Sequence, residues 1–140
     1  MSLKAHEAAI ISRLESQISG TPVESFPENP QSYKMNHPVA ALLVVYGGSQ
    51  YNENQGGNVV VQNRRQDWDV VVVSRNLSRI ASGAHSNAYD LLDAVRTAIT
   101  GFQIAGFTKF YPRGERFLRE SGGIWWYSIT FGYHGTHKES

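Results

Sequence analysis

The chain has no cysteine among its 140 residues. That absence excludes a disulfide framework, a thiolate zinc site and a cysteine nucleophile, and it fits folding in a reducing interior. Also missing are an apolar run near the roughly 18 residues that span a bilayer and a basic, then apolar, leader at the start; a soluble chain with no membrane partner is expected. Charge of one sign is not in excess either. With 13 Lys and Arg against 12 Asp and Glu the formal net charge is +1, so the overall field gives no reason to expect tight polyanion binding. The spacings that mark common catalytic loops are absent as well. Ser74, Ser82, Ser86 and Ser128 lack a GxSxG context, and the glycine-rich GGSQY and NQGGN follow neither GxGxxG nor GxxxxGKS. No enzyme and no cofactor is expected. His134 and His137 form an HxxH, but a metal needs three or four converging ligands, and the polar residues 135–140 are expected to fray. No metal site is expected.

What is present suits a single domain over residues 1–140, long enough to bury roughly 68% of its unfolded surface. Leu3, Ile10, Ile11, Leu14 and Ile18 recur at helical spacing and predict a helix over 3–18, with Ser2 as its cap and Gly20 past its end. Pro22, Pro27, Pro30 and Pro38 then forbid a continuous helix, which leaves an extended connection with a short edge strand near 23–26. VAALLVVY, residues 39–46, reads as a central strand bounded by Pro38, Gly47 and Gly48, and GGSQYNENQGGN, residues 47–58, as a hairpin loop. Residues 66–75 predict a strand with Trp68, Val70 and Val72 on one face and Val71 and Val73 on the other. Both faces are apolar, which requires cover on both sides. Ala88, Leu91, Leu92, Val95, Ile99 and Phe102 predict a second helix over 87–100, capped by Asn87 and ended by Gly101. Strands over 107–118 and 124–133, joined at Gly122 and Gly123, close the chain. This order indicates an α+β fold, a mainly antiparallel sheet with two helices packed on one face.

Functional candidates concentrate in the sheet. In SGGIWWYSITFGYHG, residues 121–135, Trp125, Tyr127, Ile129, Phe131 and Tyr133 alternate with Trp126, Ser128, Thr130 and Gly132, the period-two pattern of one buried and one more polar face. Trp126 falls in the polar set and marks a contact surface. Asp67 and Asp69 flank Trp68 on the opposite face, within reach of Arg64 and Arg65. Asp90 and Asp93 adjoin on the second helix and read as a solvated face, with Asp93 near Arg96, rather than as an acid and base pair. An alternative reading is a small nucleic-acid-binding module that uses the aromatic, arginine-flanked strand surface for stacking.

Four stretches in succession, HPVAALLVVYGGSQY (37–51), QDWDVVVVSRNL (66–77), AYDLLDAVRTAITGF (88–102) and IWWYSITF (124–131), resemble the phage Mu-like tail terminator family of contractile tails, prophages and tail-like bacteriocins. The resemblance covers most of the chain. It implies a structural subunit that caps the head-proximal end of the tail tube as a hexameric ring, ends tube polymerisation and joins the tail to the neck. Its partners would be other copies of itself, tail tube and sheath proteins and neck or connector proteins. It would be found in the bacterial host cytoplasm during assembly and in the virion or tail-like particle thereafter. A closed ring uses two different patches on each subunit. On this resemblance the ring contacts are assigned to Tyr51, Arg64, Arg65, Trp68, Arg75 and Trp126, and residues 51–58 to tube or neck docking. Arginines lining the lumen would let DNA pass without holding it tightly.

Overall fold

The computed structural model describes residues 2–26, 39–75 and 85–139, so the extended connection expected over 27–38 lies outside the described residues. Helix α1 (Leu3–Gln17) leads to strands β1 (Val23–Ser25), β2 (Ala40–Tyr51) and β3 (Val60–Arg75), then helix α2 (His85–Ile99) and strands β4 (Tyr111–Ser121) and β5 (Ile124–Glu139). The strands form one five-stranded sheet in the order β1-β2-β3-β5-β4. Among the described residues, β1 runs parallel to β2 and the other pairings are antiparallel. This is the α+β architecture that the order of elements indicates.

The helices form where their apolar spacing and caps agree. Ser2 accepts a hydrogen bond from the Ala5 amide at 3.2 Å, and Ile10 and Leu14, one turn apart, are buried beneath α1. In α2, Ala88, Leu92, Val95 and Ile99 form the buried stripe, and Gly101 turns the chain out of the helix with φ 84°. Because α2 already begins at His85, Asn87 lies within its first turn rather than at the cap. Among the described residues no helix is long and apolar enough to cross a membrane.

Two apolar clusters lie on opposite faces of the sheet. The larger joins Ile10, Leu14, Leu92, Val95 and Ile99 of the helices to Leu42, Val44, Trp68, Val70, Val72, Ile129, Phe131 and Tyr133 of the strands. The smaller gathers Ala41, Leu43, Val71, Val73 and Trp126, with Phe26, Val45 and Ile124 against it. Consecutive valines of β3 thus go to alternate clusters, as a strand covered on both faces requires. Each fully buried large side chain contributes about 1.5–3 kcal/mol, so this central strand carries much of the fold.

Three strands run farther than their sequence suggests. β2 does not stop at the glycine pair but continues to Tyr51 through a register shift between Tyr46 and Gly48, where Gly48 takes φ 121°. β3 begins at Val60, and β5 continues to Glu139 with each of Val60 to Arg65 paired to it. The polar end of the chain is therefore a strand rather than a frayed tail, because the main chain of β3 supplies partners that its side chains do not advertise. By contrast, residues 107–110 precede β4 and pair back with the chain after α2, Lys109 bridging to Gln103, Gly101 N–H donating to Phe110 O at 2.9 Å and Phe110 N–H to Phe102 O at 2.8 Å.

Candidate interaction surfaces

The register of the sheet divides the assigned contact residues. Tyr51 pairs with Arg64 across β2 and β3, and both share the helix-side face with Trp68; Arg65, Arg75 and Trp126 belong to the other face, with Arg75 at the far end of β3 from Arg65. They do not make one patch. Trp68 is 1% exposed: it stacks obliquely on Tyr46 at 5.2 Å and donates its Nε1–H to the Tyr133 hydroxyl at 3.0 Å, so it is a core residue and offers no ring to a partner. Trp126 is 6% exposed, seated in the smaller cluster with the Arg119 guanidinium 4.4 Å above its ring. Its parity is the expected one, but that face is covered, and so the ring is not a contact surface. The same burial withholds the Trp126 ring from stacking on a base.

The remaining candidates are engaged at the surface. Tyr51 is 49% exposed, lies under the Arg64 guanidinium at 5.4 Å and meets His137 edge-on at 5.3 Å. Arg64 also donates from Nε to the Ser49 hydroxyl at 3.3 Å. On the opposite face Arg65 sits 3.3 Å from Asp67, an ion pair without hydrogen-bond alignment, and Arg113 donates to Asp67 Oδ2 at 2.9 Å. Asp69 accepts from Thr130 at 2.5 Å rather than from an arginine. His134 and His137 are three residues apart on a strand and so point to opposite faces; His134 stacks on Tyr111 and meets its hydroxyl at 2.8 Å. Among the described residues no three potential ligands converge on a metal position.

A surface that the sequence did not announce lies at the β4 margin. All of β4 is exposed, and α2 packs over β3 and β5. Between α2 and β4 opens a cleft of about 470 Å³, lined by Tyr89, Leu92, Phe117 and Tyr127 with Asp93, Arg96, Glu115 and Arg116. Phe117, 51% exposed, meets Tyr127 edge-on at 5.4 Å, and Tyr89 meets Tyr127 at 6.1 Å. Arg96 spans the opening, donating to Asp93 at 2.7 Å and to Glu115 at 2.7 and 2.5 Å. Those two carboxylates hold the guanidinium pKa above its usual value, and partial burial with the neighbouring Tyr89 raises that of the Tyr127 phenol. The available signal was Phe117 followed by Leu118: adjacent strand residues face opposite ways, so a strand this charged exposes at least one of them.

Beneath the sheet's helix side, a buried polar network fixes α1 to the strands. Tyr133 donates to Gln66 Oε1 at 2.7 Å and accepts from Trp68, so its contact with His6 Nδ1 requires the imidazole to donate. Among the described residues, His6 Nε2 then carries a lone pair with no hydrogen-bond partner. Burial lowers the His6 pKa below 6.5, the Gln66 amide opposes that shift, and positive charge at the amino terminus and Arg64 adds to it. Burial likewise pushes the Tyr133 phenol well up, which keeps it neutral.

Fold and surfaces together define a small α+β protein with a buried polar anchor and an aromatic cleft at one edge of its sheet. The family model described as Gp37 protein matches residues 10–136, and the chain belongs to that phage-related family. No curated protein matches it.

Proposed function

We propose that this protein is a structural component of a phage or phage-derived contractile tail that caps the head-proximal end of the tail tube, stops its polymerisation and joins tail to neck as a hexameric ring. Membership of the Gp37 family over residues 10–136 is the observation that carries the reading. The fold is compatible with it: an aromatic cleft lies at one margin of the sheet and an extended β2–β3 hairpin toward the other, two dissimilar surfaces of the kind a ring contact joins. The protein works by assembly and performs no chemistry of its own. Consistent with that role, the acidic side chains of the cleft are bound to Arg96. It meets tube, sheath and neck proteins in the host cytoplasm and stays in the finished particle. The test is deletion of the gene from its tail operon followed by electron microscopy. Tails of irregular length without heads are expected; uniform tails with heads attached would refute the proposal.

A further inference from the structure

Along α1 the means of attachment changes. Ile10 and Leu14, with Ile18 just beyond the helix, anchor the later turns by apolar burial, and Arg13 donates from Nε to Ala98 O at 2.9 Å. Across residues 2–9 the one buried side chain is His6; the others are exposed or half-buried. The start of the helix therefore rests on a polar contact. That contact lies at one end of the core: Gln66 and Tyr133 are the last buried residues of β3 and β5 before 60–65 and 134–138 run on without any.

We propose that the first two turns of α1 are an acid-released strap: a second proton on His6 detaches residues 2–9 from the core while the sheet and α2 stay folded. The neutral ring fits because the Tyr133 hydroxyl gives its one proton to Gln66 and accepts from Trp68 and from His6 Nδ1. A further proton must then go to Nε2, which is buried and has no hydrogen-bond partner among the described residues. An imidazolium held there would bury a charge and an unsatisfied donor together.

The surroundings offer such a charge no compensation. Gln66, Trp68 and Arg64 of β3, Tyr133 of β5 and the Phe107 ring, edge-on at 4.7 Å, stand around the imidazole, and Tyr46 of β2 acts on Tyr133 behind it. The charged groups acting on the ring, the amino terminus and Arg64, are both positive. Lys4 and Glu7 share α1 with His6, but residues one or two apart on a helix do not face each other. His6 also donates its N–H to Ser2 O at 3.1 Å, which places it at the positive end of the helix dipole, in a first turn without an acidic side chain. Detachment sacrifices little else, because residues 2–9 bring no large apolar side chain into the core and a short free helical segment is marginal in water. Ile10 and Leu14 keep the rest of α1 in place. The released ring titrates near 6.5 and the docked ring lower, so as pH falls the released form takes up the proton first.

Hydrogen exchange of the full-length chain between pH 7.5 and pH 5, corrected for the intrinsic pH dependence of exchange, reads the strap directly. Below about pH 6.5 the opening of the amides of residues 6–9 should rise steeply, toward the limit of about tenfold per pH unit that one proton allows. Amides of β3 and α2 should keep their protection over the same range. In His6→Asn, which does not titrate, opening at residues 6–9 should no longer depend on pH. Nitrogen chemical shifts of the native His6 ring at pH 7.5 should show a protonated Nδ1 and a bare Nε2, a readout that needs no variant to fold. Unchanged protection of residues 6–9 at pH 5, a loss shared equally by β3 and α2, the same acid opening in His6→Asn, or a proton on Nε2 at pH 7.5 would each overturn the proposal.

Discussion

Tyr133 faces inward by alternation alone, yet a buried phenol also needs partners, and these come from Trp68 and Gln66, 65 and 67 positions away in the chain. No local pattern contains that pairing. The same limit applies to Trp126: its side of the strand is legible from parity, whereas its burial depends on Leu43, Val73 and the overlying Arg119, which belong to other strands or other parts of the sheet. At this scale His6 provides a test. The unfolded ring titrates near the ordinary 6.5, and the folded ring below it. As pH falls, the unfolded chain therefore takes up the proton first. Stability associated with the neutral ring is fully present above about pH 6.5 and is lost from there down toward the folded pKa. His6→Asn supplies an amide donor in place of Nδ1 and does not titrate. Its urea midpoint should fall less than that of the native chain between about pH 7 and pH 5; equal slopes would mean that the imidazole is not held neutral by burial.

Elements were legible where their signal is local. Both helices follow from apolar spacing, and the inward and outward faces of β3 and β5 follow from alternation, because these periods are properties of a single segment. Strand ends were not, because they are set by a partner. Gly47 and Gly48 resemble a turn but form a bulge inside β2, and the polar residues after Tyr133 form a strand because β3 pairs with them. Gly135 shows what this extension requires. The Phe107 ring lies where a Cβ at position 135 would stand, so the missing side chain lets the turn before β4 pack onto the end of β5. Gly135→Ala should push the ring away and destabilise the chain by about 1–3 kcal/mol, the usual range for overpacking. The measurement is the urea midpoint at constant m. A neutral result would show that Phe107 packs elsewhere in solution.

For the whole molecule, net charge and its placement bear on whether the protein binds DNA. The formal charge is +1, and many of the arginines already have anionic or aromatic neighbours. Arg65 and Arg113 lie on Asp67, Arg96 on Asp93 and Glu115, Arg119 over Trp126 and Arg64 over Tyr51. Binding DNA through these groups would have to compete with internal ion pairs, and an arginine drawn to a phosphate would leave its own carboxylate or ring behind, which offsets much of the attraction. A subunit arranged in this way suits a ring through which DNA moves, because a tightly binding wall would resist passage. Titration of the purified chain into fluorescent duplex and single-stranded DNA should give dissociation constants no tighter than about 10⁻⁴ M at physiological salt, at the weak end of non-specific binding. Single strands should gain no advantage from Trp126, whose ring is buried. Submicromolar affinity with a steep salt dependence, lost on Trp126→Ala, would instead mean that the sheet opens to nucleic acid and that the protein binds it.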